Sequence, residues 1–167
     1  MRDKAKFLGH PIHPMLIVFP LGLLPVSVVF DFVYLGTKNV VWSQISYWVL
    51  VLGIVGGLLA AAFGIHDWIT IPAGTRAKRV GLLHGAANVV AVGAFALSWW
   101  LRRTAPYVPT LPYVLIGVIG LAVSLLGAWL GGELVYRLGV GVDQNADVNA
   151  PNSLAKPSVS QDAVAPL

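Results

Sequence analysis

Four histidines, at positions 10, 13, 66 and 84, are the residues best suited to chemistry in a chain of 167 residues that contains no cysteine. His10 and His13 stand in Gly9-His10-Pro11-Ile12-His13-Pro14, which runs straight into an apolar stretch, and His66 and His84 lie near the ends of two further apolar stretches. Imidazole titrates near neutrality and ligates zinc, copper and iron. Three chemistries follow. A b-type haem needs facing imidazoles from antiparallel helices at matched depth, and His66 with His84 fits that need. The basic residue Arg79, with Arg76 and Lys78, would then stand where the propionates emerge. A non-haem ion (Zn, Cu or Fe) would take His10, His13, His66 and His84, with Asp67 or Glu133 completing its shell. A proton site would use the same rings as titrating groups. Asn88 follows His84 by four residues. It therefore shares its helix face one turn deeper and is placed to orient the ring.

Each of these residues also has a structural reading. A lone histidine at a membrane interface serves as an anchor or a cap, and His13 before Pro14 would cap a helix. Asp67, next to Trp68, would face lipid headgroups, and Glu133 would pair with Arg137 one turn on. The functional reading gains weight from His66 and His84 lying inside apolar spans, where ionisable groups are expensive and mark sites. Asp31 stands apart from the histidines. It is expected to make a structural hydrogen bond to the stretch carrying Ser43, Gln44 and Ser46. No H-E-x-x-H, G-x-S-x-G or phosphate-loop motif is present to suggest a hydrolase.

The elements that must position these groups are four apolar stretches, at about 14–35, 46–70, 80–101 and 111–136. Only 11% of residues are charged, against about 25% in soluble domains. Each stretch reaches the roughly 20 residues that cross a hydrocarbon core, and helices are the form such runs take there. Gly36-Thr37-Lys38-Asn39, Pro72-Ala73-Gly74-Thr75 and the prolines at 106, 109 and 112 separate them. Trp42, Tyr47, Trp48, Trp68, Trp99, Trp100, Tyr107 and Tyr113 collect at their ends as an interfacial belt. Glycines at four-residue spacing (53 and 57, 81 and 85, 127 and 131) predict close helix packing. The expected fold is all-α: an integral membrane four-helix up-down bundle with short loops over residues 1–142. Residues 143–167, rich in Asn, Asp, Ser, Pro and Ala, are expected to be a disordered tail.

Up-down order brings His10, His13, His66, Asp67, His84 and Glu133 to one end of the bundle. Arg2, Lys4, Lys6, Arg76, Lys78, Arg79 and Arg137 also fall at that end, whereas Lys38, Arg102 and Arg103 fall at the other. The majority places the histidine end and both termini in the cytoplasm, in the plasma membrane. The first apolar run is too long for a signal-peptide core and lacks a small-residue cleavage site, so it is expected to be retained. The net charge of +4 sits beside apolar runs and forms no stripe, so nucleic acid is not an expected partner.

The opening Gly9-His10-Pro11-Ile12-His13-Pro14 and the following Phe19-Pro20-Leu21-Gly22 resemble a family of small bacterial predicted membrane proteins of unknown function. So do Gly64-Ile65-His66-Asp67-Trp68, His84-Gly85-Ala86-Ala87-Asn88 and Gly131-Gly132-Glu133-Leu134-Val135-Tyr136. The resemblance covers residues 7–142. It implies a four-helix membrane protein, and some members carry an attached Rieske-type iron–sulfur domain, which points to redox work. A cysteine-free chain would then need another protein as its electron partner.

The resulting expectation is a haem- or metal-binding redox component, with His66, His84, Asn88 and Arg79 about a haem b. For a metal ion, the ligands would be drawn from His10, His13, His66, His84, Asp67 and Glu133. The alternatives are a proton or metal-ion transport or accessory subunit, and a scaffold without cofactor. The lipid bilayer is the expected surrounding, with a redox or transport partner protein, and homo-oligomerisation is left open.

Overall fold

In the computed structural model, which describes residues 5–143 and 146–155, the chain opens with a small hairpin. Strands β1 (Lys6–Phe7) and β2 (His10–Pro11) pair antiparallel across the turn Leu8-Gly9. Both turn residues have positive φ, +50° and +86°, as a tight hairpin requires, and glycine takes that conformation without a Cβ clash.

Helices α1 (Ile12–Leu16) and α2 (Val18–Thr37) follow almost without interruption. The break between them has a local cause. Pro20 has no N–H to offer the Leu16 carbonyl and its ring crowds it. Pro14 is the third helical residue rather than the first, still among the positions whose N–H has no partner inside the helix.

Helix α3 (Val40–Thr70) begins six residues before the expected span, since Asn39 caps it by accepting from the Val41 amide at 3.1 Å. Only Lys38, with φ +58°, and Asn39 separate it from α2. Its 31 residues extend about 46 Å, more than a hydrocarbon core needs. Thr75 caps α4 (Arg76–Leu101) by accepting from Lys78 N–H. Helix α5 (Leu111–Gly132) runs into a π-helical turn, Glu133–Arg137.

Helices α2 and α3 pack as one antiparallel pair and α4 and α5 as another, with α3 against α4 joining them. The buried core is small: Leu24, Val28, Leu50 and Phe95, flanked by Ile54, Trp99, Val118 and Leu121. The outer faces are apolar instead. Leu58, Val89, Leu125 and Trp129 are each at least 60% exposed, a surface that water would not tolerate over four helices and lipid would. All four helical spans, Ile12–Thr37, Val40–Thr70, Arg76–Leu101 and Leu111–Arg137, are long and apolar enough to cross a membrane.

The end away from the histidines is closed by a buried polar network. Arg102 grips Asp31 at two points, 3.0 and 2.7 Å, and donates to Ser98 Oγ at 2.9 Å. Ser46 Oγ reaches both the Asp31 carboxylate and the Ser27 carbonyl. Ser98 donates to the Tyr113 carbonyl at 2.8 Å. One ion pair and two hydroxyls thus tie together α2, α3, α4 and α5.

Candidate functional site

At the other end of the bundle, His13 and His84 come together. Their ring centroids are 6.3 Å apart and their planes nearly perpendicular, at 89°. His13 is the second residue of α1. His84 lies eight residues into α4, about 12 Å along its axis, so the pair sits within the spans.

Both rings are held in the same way. Nδ1 of His13 lies 2.8 Å from the Ala60 carbonyl of α3, and Nδ1 of His84 lies 2.8 Å from the Gly127 carbonyl of α5. A carbonyl only accepts, so each Nδ1 carries a proton, and in the neutral ring it is Nε2 that offers a lone pair. Asn88 adds a third contact. Its Nδ2 donates to the His84 carbonyl at 2.8 Å and lies 3.2 Å from His84 Nε2.

Glycines make the room. A methyl group at Gly64 would lie 2.9 Å from Cε1 of His13, and one at Gly131 would lie 3.2 Å from Cε1 of His84. A methyl at Gly127 would lie 2.9 Å from Asn88 Oδ1. Bare backbone on α3 and α5 is therefore the seat of both imidazoles and of the amide. All four spans contribute to this centre.

The other residues singled out in the sequence lie elsewhere. His66 is two residues past Gly64 and so about 200° further round α3, away from the His13 side. Its side chain is 53% exposed, and its Nδ1 is 3.7 Å from Oδ1 of Asp67. That Asp67 oxygen is buried without a hydrogen-bond partner among the described residues. His10 is exposed on the hairpin, with Ser153 Oγ 3.3 Å from its Nε2. Glu133 accepts from Arg76 at 2.9 Å, not from Arg137. Arg79 is exposed on α4. Among the described residues no three His, Asp or Glu side chains are grouped to hold a metal ion.

Lys78 and Trp68 form a clasp over the α3–α4 turn. The ammonium lies 3.9 Å from the indole centroid and donates to the Trp68 carbonyl, while the indole N–H donates to the Lys78 carbonyl. Of the expected tail, Ser153 donates to the Leu8 carbonyl at 3.2 Å. Residues 144–145 and 156–167 lie outside the described part, as do Arg2 and Lys4 of the charge count.

Two features were not foreseen. The seating of rings on glycine was hidden because spacing alone shows that residues are small, not what fills the space. The other is the charged partner of Asp31, whose expected bond to the 43–46 stretch is made by Ser46; that partner was readable in principle. A charge near the outer end of one span calls for a countercharge at matched depth, and Arg102 ends the third span at that level.

Among families of known sequence, the model of a predicted membrane protein family, DUF2231, matches residues 9–144. No curated protein and no solved structure matches the chain.

Proposed function

The chain belongs to that family of integral membrane proteins, and from this premise we propose that it is a metal-binding membrane component whose ligands are His13 and His84. The observation that carries the reading is the spacing of the two rings. Two imidazoles sharing one ion through metal–nitrogen bonds of about 2.0–2.1 Å would have ring centres about 5–6.5 Å apart. The rings here are 6.3 Å apart. Their Nδ1–H groups are already committed to main-chain carbonyls, which is how proteins fix a ligating histidine and raise the basicity of its other nitrogen.

A haem does not suit this pair. The helix backbones at Gly64 and Gly131 run against the ring edges, where a macrocycle lying between the rings would have to spread. A single copper, zinc or iron ion makes no such demand. Copper or iron bound here would supply one-electron chemistry, with the electron partner a separate protein. The chain's own part is to hold both rings in one tautomer, on rigid helices, in a low-dielectric setting.

One observation favours a second reading, a proton site. The Asn88 amide already points a donor at His84 Nε2, and it would have to turn aside for an ion. Without an ion, the same contact holds the His84 ring beside His13, and a proton taken up from solvent by one ring would make it a donor to the other.

Cytoplasmic placement of the histidine end in a plasma membrane is part of the proposal. Because Arg102 is paired with Asp31 inside the bundle, it no longer counts as a free loop cation. Leaving out the ion-paired Arg102 and Arg76 alike, the balance is six cations against Lys38 and Arg103, which supports that orientation.

Metal analysis of the full chain purified in detergent from cells supplied with zinc, copper and iron decides between these readings. The metal reading expects about one ion per chain, lost in His13→Ala and in His84→Ala and kept in His66→Ala. A metal-free wild type whose proton flux in liposomes disappears with His84→Ala would favour the second.

A further inference from the structure

A half-open groove with a volume of about 220 Å³ lies beside the π-helical turn, at the histidine end but apart from the imidazole pair. Ile71, Pro72, Thr75 and Ala77 line one side, and Leu138 and Val140 the other. Its lining is almost wholly apolar. The one side-chain hydroxyl, on Thr75, is already used: it donates to the Pro72 carbonyl and accepts from the Lys78 amide. The π turn shapes the far wall. The Leu138 amide bonds to the Glu133 carbonyl and the Val140 amide to the Leu134 carbonyl, so the chain folds back at Gly139, with φ +62°.

Both segments that line the groove carry an arginine close by in the chain. Arg79 lies one turn beyond Thr75 on the same face of α4, and Arg137 immediately precedes Leu138. Both are exposed, and neither has a hydrogen bond or ion pair among the described residues. Their neighbours differ. Arg76 is held by Glu133, and Lys78 by the ring and carbonyl of Trp68. Two unpaired arginines thus stand within one turn of residues that line the trough, at the end where the helical spans stop.

We propose that this groove binds one anionic phospholipid, with an acyl chain in the trough and the phosphate held by Arg79 and Arg137. An acyl chain is the occupant that needs no polar partner and that a bilayer supplies at this depth. A guanidinium is the side chain best matched to a phosphate, since it donates two parallel N–H bonds. A basic pocket between helix ends is where such headgroups are recognised. The site is independent of the imidazole pair and of what that pair binds.

The test uses the full chain in neutral detergent. Dioleoylphosphatidylglycerol, dioleoylphosphatidylcholine and inorganic phosphate are titrated separately, reading lipid retained by native mass spectrometry and the rise in melting temperature. Phosphatidylglycerol is expected to bind at about one per chain and to stabilise, and phosphatidylcholine and inorganic phosphate to do neither. Arg79→Gln with Arg137→Gln should weaken phosphatidylglycerol about 30-fold, from about 1 kcal/mol per cation. The melting temperature without lipid should stay at the wild-type value, because both residues are exposed. Ala77→Phe, which fills the trough with both cations intact, should also weaken binding. Equal retention of the two lipids, stabilisation by inorganic phosphate alone, or undiminished binding in the double variant would overturn the proposal.

Discussion

Gly131 is the floor under His84: a methyl group there would lie 3.2 Å from Cε1 of the ring and 3.4 Å from Nδ1. One turn back along α5, the Gly127 carbonyl holds that same Nδ1. The glycine pair on α5 therefore serves a side chain of α4, and Gly64 does the same for His13 from α3. The site is built by subtraction: two helices give up side chains so that two rings can meet at half-buried positions.

Filling either seat should move the ring it serves. Gly64→Ala places Cβ 2.9 Å from His13, so the ring must shift and its bond to the Ala60 carbonyl must stretch. Overpacking of this kind costs about 1–3 kcal/mol. Gly131→Ala, with a slightly longer contact, should cost less. Thermal melts of both variants in detergent check the order. Gly85→Ala is the control, since a methyl there meets nothing within 4 Å. Equal melting temperatures for all three would show that the seats are not tight.

The Asp31–Arg102 pair should behave as a unit. Both side chains are almost fully buried, at 3% and 1% exposure, and removing one partner strands a charge. Asp31→Ala and Arg102→Ala should each destabilise by about 3–5 kcal/mol. The double variant Asp31→Ala with Arg102→Ala should lose less than the sum, because no charge is left behind. A double-mutant cycle on melting curves measures this, and strict additivity would show that the two residues do not support each other.

A protein without cysteine permits a direct test of orientation. Ala73→Cys lies in the α3–α4 turn at the histidine end, and Lys38→Cys lies in the α2–α3 turn at the other. An impermeant maleimide applied to intact cells should label the residue at 38 and reach the residue at 73 only after permeabilisation. The reverse pattern would place the imidazole pair on the outer side.

The four spans were legible because length, hydropathy and turn residues all marked the same boundaries. The errors lay at helix starts. Capped by Asn39 and Thr75, α3 and α4 begin six and four residues ahead of where hydropathy alone would start them, since a cap fixes the start of a helix. Up-down order predicts a histidine-rich end, and among the described residues only His13 and His84 come together there; which rings meet depends on helix phase, which that order does not give. His66 and Gly64 differ by two residues and so face nearly opposite ways, and it is His13 that reaches α4. Arg102 was misjudged as a loop charge because sequence gives its depth but not the direction in which its side chain turns.

X-ray absorption at the metal edge of zinc- or copper-loaded protein tests the central claim most directly, since it counts the imidazoles on the ion. Two imidazole scatterers at about 2.0–2.1 Å are expected in the wild type, no bound ion in His13→Ala or in His84→Ala, and a spectrum matching the wild type in His66→Ala. A wild-type spectrum unchanged by both substitutions, or an ion retained through His66 instead, would contradict the assignment of His13 and His84 as its ligands.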